Sequence, residues 1–293
     1  MKVLLLGQNS YLSDFYLKFS KNKFSNITIY TKRFDHSDII NLNDILFYDK
    51  YFSLIDINFD YSLNFIHIHK SSLASEIDIN TKLSKKLIYV FNKLKIKRNI
   101  YISSVNAFSD TKSEYGIAKL RSEEVYKSLG NFVIIRPSTI IDIDYKNKLI
   151  LGGKKGKSFE SLSKLITKFF FIPVPGFGKY LQTVCFGDDL GKFIDFIINN
   201  NLFYKRTINF FTGEIISYND FLDIYFNFKK IKRLKLYIPK ILIIFMIKFL
   251  KIVFRNLNIS SKNIDNLTNQ KIEFNLSQDI NKLIKLKKIN DLN

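Results

Sequence analysis

YISSVNAFSDTKSEYGIAKLRSEE, residues 101 to 124, decides how the chain is read. It opens as an apolar strand, breaks at Ser103-Ser104 into a polar loop, and continues as a helix through Tyr115 and Lys119. These two stand four apart, so they share one helix face. Between them lie Gly116 and Ala118, in a chain with only 11 glycines. Small residues at that point read as room for a cofactor against the helix. A lysine ammonium beside a phenol favours phenolate and lowers its pKa from about 10. Ser104 is placed to hold a substrate oxygen while Tyr115 moves a proton, so Ser104, Tyr115 and Lys119 read as acid/base machinery. The spacing alone is weak, because about two Tyr-x-x-x-Lys pairs arise by chance in this composition. Tyr89/Lys93 and Tyr225/Lys229 are further instances. The bland alternative is a surface helix with a packed tyrosine and a solvated lysine.

Outward from this stretch, short β-branched runs alternate with helical ones. Strands are expected at Lys2 to Leu6, Ile27 to Tyr30, Asn64 to Ile68, Ile100 to Ser103 and Phe132 to Ile135. Helices are expected at Tyr11 to Phe19 and at Glu76 to Leu94, the latter capped by Ser75. Residues 34 to 60 should hold a short helix and a strand. Strand, helix, strand repeated in this way predicts an α/β Rossmann-type fold, a doubly wound parallel sheet binding its ligand at the C-terminal strand ends. The rhythm changes after Arg136-Pro137. LGGKKGKS reads as a loop, IPVPGFGKY as a turn cluster, and GDDLGKFIDFI as a helix start with Asp188 or Asp189 at free N–H groups. The expected organisation is a Rossmann domain over residues 1–140 and a smaller substrate-binding region over 141–293, partly interleaved with the first.

Gly7 ends the first strand, and Ser10 and Ser13 follow at three-residue steps. A dinucleotide fingerprint places glycines at such points, for the tight turn, the approach of pyrophosphate and close helix packing. The alternative is an ordinary strand-to-helix turn with a serine cap. Lys32 and Arg33 end the second strand, where a NAD site carries an acid for the ribose hydroxyls. Two cations suit a 2′-phosphate, so NADP is expected ahead of NAD.

YISSVNAFSDTKSEYGIAKLRSEE, then FVIIRPST, GFGKYLQTVCFGDDL and RTINFFTGEIISYNDF, together resemble the extended short-chain dehydrogenase/reductases. More narrowly, they are similar to the NAD-dependent epimerase/dehydratase group of nucleotide-sugar epimerases and 4-ketoreductases. The resemblance covers residues 1 to about 225, and the order of the segments is more specific than any one motif. It implies that Ser104, Tyr115 and Lys119 are catalytic, with Lys119 also at the nicotinamide ribose. It implies cofactor contacts from Gly7, Ser10, Ser13, Asn80, Pro137, Ser138 and Thr139, with Asn80 structural or cofactor-side. Asn106, Lys179 and Gln182 are the expected substrate contacts. Gln182 stands where the family often has an arginine on the substrate diphosphate. The activity so implied is NAD(P)-dependent oxidation, reduction or epimerisation of a nucleotide-activated sugar, in cytoplasmic synthesis of a surface polysaccharide. Pairing as a homodimer is also implied. A non-catalytic Rossmann binding or assembly protein is the competing class.

The formal charge of +20 raises nucleic acid as a partner. Lysines scattered along the whole chain, with no arginine-rich patch interleaved with aromatics, argue against it. The single Cys185 permits no internal disulfide and fits a reducing compartment. MKVLLLGQNS reads as a strand rather than a signal peptide. His67 and His69 alternate on one strand, but with no acid cluster evident, no metal is expected. PKILIIFMIKFLKIVFRN, residues 239 to 256, is interrupted by Lys248 and Lys251 and is too short to span a bilayer. It reads as a core-packed helix, or as one touching a membrane surface.

Overall fold

The structure is a computed structural model that describes residues 1–7, 10–21, 27–32, 54, 56–69, 75–143, 149–151, 169–212, 214–245 and 286. Arg33, residues 34 to 60 other than 54 and 56–60, the LGGKKGKS stretch after Leu151, and residues beyond 245 other than 286 lie outside these. The described chain forms two compact units, Met1–Pro137 with Gly187–Phe210, and Ser138–Phe186 with Phe211–Asn293.

The first unit is built on six parallel strands: β1 (Lys2–Leu6), β2 (Thr28–Lys32), β3 (Tyr61–Asn64), β4 (Arg98–Ile102), β5 (Phe132–Pro137) and β10 (Arg206–Phe210). Their order is β10-β5-β4-β3-β1-β2. The reversal of strand order beside β1 is the switch point at which such sheets take ligands. Strands buried on both faces read as unbroken apolar runs, and Val3 to Leu6, Ile100 to Ile102 and Val133 to Ile135 are all sequestered. On one face, Leu4, Leu6, Tyr101 and Ile134 pack with Ile79, Leu83, Leu87 and Val90 of α2 (Glu76–Lys93) and Tyr126 of α3 (Glu114–Lys127). Elsewhere in this unit α1 (Tyr11–Lys21) lies against α4 (Gly187–Asn200).

Local signals explain the element ends. Ser75 caps α2 by accepting from the Asp78 N–H at 3.1 Å, and Ser113 caps α3 by accepting from Gly116 at 3.0 Å. β3 departs from its expected span, running Tyr61–Asn64 rather than over Asn64 to Ile68. The Asn64 side chain accepts from its own Ile66 N–H at 2.8 Å, which turns the backbone out of the ladder.

The second unit joins β6 (Thr139–Ile143) to β7 (Leu149–Leu151) and β9 (Leu181–Phe186), and β9 to β11 (Ile215–Ser217). A separate ribbon pairs β8 (Phe171–Pro175) with β12 (Leu234–Ile238) in parallel. Helix α5 (Tyr218–Lys229) starts at a reciprocal Ser217/Asp220 cap. Its Phe221 and Leu222 close a core with Ile172, Val174, Val184 and Phe186. Buried Cys185 lies in β9. No helix among the described residues is long and apolar enough to cross a membrane.

Candidate active site

The C-terminal ends of β1, β3 and β4 carry the first unit's chemistry. Gly7 leaves β1 at φ +83°, and a Cβ there would stand 2.9 Å from the Ile66 N. Only glycine allows β1 and the segment after β3 to approach so closely. Ser10 donates its N–H to the Gly7 carbonyl at 2.8 Å. The Ser13 hydroxyl, fully buried, faces the carbonyls of Gly7 at 2.8 Å and Ser10 at 2.7 Å. Serine at the third position is thus folded back onto its own turn. Lys32 pairs in the sheet with Leu6.

Beyond β4, residues 103 to 113 curl onto the first turn of α3. A Cβ on Gly116 would collide with the Asn106 carbonyl and the Thr111 hydroxyl. Ala118 is fully buried. Gly116 is therefore required by the chain's own loop, which corrects the expectation that a cofactor alone explains the small residues here. The loop places Ser104 in hydrogen-bond contact with the Tyr115 phenol. Asn106, half-buried, donates its N–H to the Ser104 hydroxyl at 3.2 Å.

Lys119 is buried, with Nζ donating to the Ile102 carbonyl at 2.9 Å and lying 4.9 Å from the centre of the Tyr101 ring. Burial pulls its pKa down to about 7, against the upward pull of the Glu123 and Glu76 charges. Tyr115 moves the other way. Burial pushes it up to about 12, the Ser104 hydrogen bond opposes that rise, and the Glu76 charge adds to it. The expected depression of the phenol by Lys119 does not occur, because desolvation dominates and the ammonium is engaged with Ile102. At neutral pH Tyr115 is a protonated phenol.

One helical turn beyond Lys119 sits Glu123, with no exposure. Arg136 grips it with two bonds, Nε to Oε1 at 2.7 Å and Nη2 to Oε2 at 2.6 Å. Ser103 donates to Oε1 at 2.5 Å. The sequence signal for this pair was legible in principle, since Glu123 follows Lys119 at helical spacing.

A second group escaped the sequence reading. The segment after β3 brings His67 and His69 to Glu76 at the start of α2. His67 Nε2 lies 2.6 Å from Glu76 Oε1, and His69 Nδ1 lies 3.7 Å from the same oxygen. The expectation that the histidines lack an acidic partner is thereby corrected. Burial lowers His67 to about 4 against the pull of Glu76. Burial works to raise Glu76, but the histidine hydrogen bonds and charges hold it at about 2. At neutral pH a neutral His67 donates to an ionised Glu76. The three side chains offer ligand atoms within 4.8 Å of one another. The short hydrogen bond already satisfies the shared carboxylate oxygen without an ion. Both imidazoles face Tyr115, His67 edge-on at 4.7 Å and His69 stacked at 6.4 Å between ring centres.

Asn80 has a structural use. Its amide donates to the carbonyls of Ile68 at 2.8 Å and Glu76 at 2.7 Å, and its oxygen accepts from the Ile68 N–H at 3.0 Å. It clamps the histidine segment to α2. Pro137 ends β5, and its carbonyl accepts from the Val105 N–H at 3.2 Å. The remaining expected residues belong to the second unit. Ser138 is buried, and its hydroxyl has no hydrogen-bond partner among the described residues. Thr139 opens β6 opposite Val184. Gln182 is buried in β9 opposite Ile216, and Lys179 is exposed after the turn Gly176–Gly178.

No family model matches the chain. No curated protein matches it in sequence. Solved structures do match in fold. A dTDP-4-dehydrorhamnose reductase from Yersinia enterocolitica superposes at TM-score 0.60, with 16% identity over 82% of this chain and 85% of that one. A UDP-glucuronic acid 4-epimerase from Bacillus cereus, in complex with UDP-glucuronic acid and NAD, gives TM-score 0.62, with 17% identity over 82% and 86%. A dTDP-4-dehydrorhamnose reductase from Bacillus anthracis, in complex with NADP, gives 0.59, with 17% identity over 81% and 84%. The Rossmann-like α/β fold of these nucleotide-sugar enzymes is the fold of this chain, as the sequence resemblance implied.

Proposed function

We propose that this protein is an NAD(P)H-dependent reductase of a keto group on a nucleotide-activated sugar. One observation carries the reading: Ser104 neighbours a Tyr115 that burial keeps protonated, beyond the C-terminal end of β4, with Lys119 buried one turn away. A nicotinamide dinucleotide is assigned to the β1–α1 connection because it lies at the switch point of the sheet, where such folds take a dinucleotide against a helix N-terminus. A nicotinamide dinucleotide held there supplies the hydride. Ser104 orients the substrate oxygen. Tyr115 gives its proton to that oxygen as the carbonyl becomes an alcohol. Lys119, titrating near neutrality, stabilises the phenolate left behind.

A nucleotide-sugar substrate is supported by the fold neighbours, whose own names include such sugars. Delivery of the product to surface-polysaccharide synthesis in the cytoplasm is part of the same proposal, as is the preference for NADP. Epimerisation with retained NAD would use the same side chains. A phenol protonated at neutral pH favours the direction in which it donates.

The competing reading is a binding protein without turnover. It is favoured by Ser13, whose hydroxyl occupies the turn's own carbonyls, and by the imidazoles packed against Tyr115. Fluorescence titration of the purified chain with NADPH and with NADH tests the proposal. Saturable binding, tighter for NADPH, is expected. Absence of binding to either would sink the reductase.

A further inference from the structure

The β8–β12 ribbon has an inverted surface. Strand alternation normally turns one face to the core and a polar face to water. Here Ile172 and Val174 point into the second unit's core, as expected. The opposite face carries Phe171, Pro173, Leu234 and Leu236, and all four are exposed. Phe171 is 55% exposed, Leu234 53% and Leu236 51%, so none is shielded by its neighbours. Register places Leu234 beside Phe171 and Leu236 beside Pro173, which makes the apolar face continuous. At the end of the ribbon, exposed Tyr237 stacks on exposed Phe177 at 6.2 Å, so apolar side chains are also exposed beside this face. The helical residues 240–245 add Ile241, Leu242 and Phe245, again all exposed. A contiguous apolar surface of this kind marks an interaction site.

Charge selects the occupant. From Lys230 to Phe245 the sequence holds five cations and no acid, and of the five Lys235 is paired with Asp223 at 2.7 Å. Lys232 is exposed immediately before β12, and Lys240 follows the strand. A second copy of this chain would bring the same cations face to face across a two-fold axis, and juxtaposed like charges oppose association. Interface cores between proteins are also depleted of lysine. Basic residues bordering exposed aromatic and aliphatic side chains instead match a bilayer surface with anionic headgroups.

We propose that the outward face of the β8–β12 ribbon, continued by residues 240–245, docks on an anionic lipid bilayer. It adds Phe171, Leu234 and Leu236 to the start of the segment that sequence alone pointed to. It is independent of the proposed activity. The test is flotation of the full chain with phosphatidylcholine vesicles containing phosphatidylglycerol, and with phosphatidylcholine alone. Binding to the anionic vesicles only, weakened by salt, is expected. Leu234→Glu with Leu236→Glu should abolish it while far-ultraviolet circular dichroism is unchanged. Should that variant misfold, Lys232→Gln with Arg233→Gln provides the second arm, with about fivefold weaker binding per cation removed. Failure to float with anionic vesicles would overturn the proposal. So would undiminished flotation of a folded Leu234→Glu, Leu236→Glu variant. A dimer in light scattering that dissociates in that variant, without flotation, would assign the face to a second copy and equally overturn it.

Discussion

Two acids in the first unit are almost equally buried and are treated in opposite ways. Glu123 on α3 has no exposure and meets a guanidinium fork and a serine hydroxyl. Asp195 on α4 is 2% exposed, and among the described residues neither carboxylate oxygen has a hydrogen bond of good geometry. The buried Tyr16 hydroxyl faces it. Burial pushes Asp195 up to about 7, while Tyr16 works to lower it. The first acid sits in a built socket below Lys119. The second lacks such a socket, and burial makes it hold its proton well above the ordinary carboxylate range. A buried charge needs a partner in place, and Arg136 supplies one to Glu123.

Glu123→Ala should break this contrast with the largest effect. It leaves the Arg136 guanidinium, 14% exposed, without its fork. A loss of about 3–5 kcal/mol is expected in urea unfolding. A loss below about 1 kcal/mol would mean that the fork is not an organising feature.

Asp195→Asn sharpens the contrast from the other side. A carboxyl raised from 3.8 to about 7 costs nothing below its unfolded value, where both states are protonated. The cost grows as pH rises from about 4 and is complete above about 7. Wild-type stability should therefore fall across that window, and the asparagine variant should recover on the order of 2 kcal/mol at pH 8. The pH dependence of the thermal midpoint measures both. An unchanged slope in the variant would remove Asp195 as the cause.

The smallest effect is expected at Asp189, fully buried on the same helix but paired with Lys192 at 2.6 Å. Lys192→Ala should cost about 1 kcal/mol in the same urea assay. A cost matching that of Glu123→Ala would erase the distinction between a half-exposed pair and an enclosed fork.

The parts of this arrangement differ in how far sequence exposes them. Strands β1, β4 and β5 were legible because unbroken apolar runs have few other solutions, and Ser75 marked the start of α2. Ser104, Tyr115 and Lys119 could be named because they fall on one strand-loop-helix stretch. Their electrostatics could not, since Tyr115 rises or falls with burial, and burial follows from distant packing. The His67/Glu76 contact depends on how the chain leaves β3, and an Asn64 side chain competing with the ladder displaced that strand's end from its expected position. Gly116 carries a similar lesson. A small residue was read as space for a ligand, and the neighbour proved to be the loop from Asn106 to Thr111.

The central claim is that Tyr115 is the proton donor of a nicotinamide-dependent reduction. The most direct test is Tyr115→Phe, with NADPH binding and turnover of keto-sugar nucleotides measured on the same preparation. Binding close to that of the unaltered chain, with turnover reduced by roughly 10²–10⁴-fold, is the predicted result. Turnover undiminished in the phenylalanine variant would contradict the account.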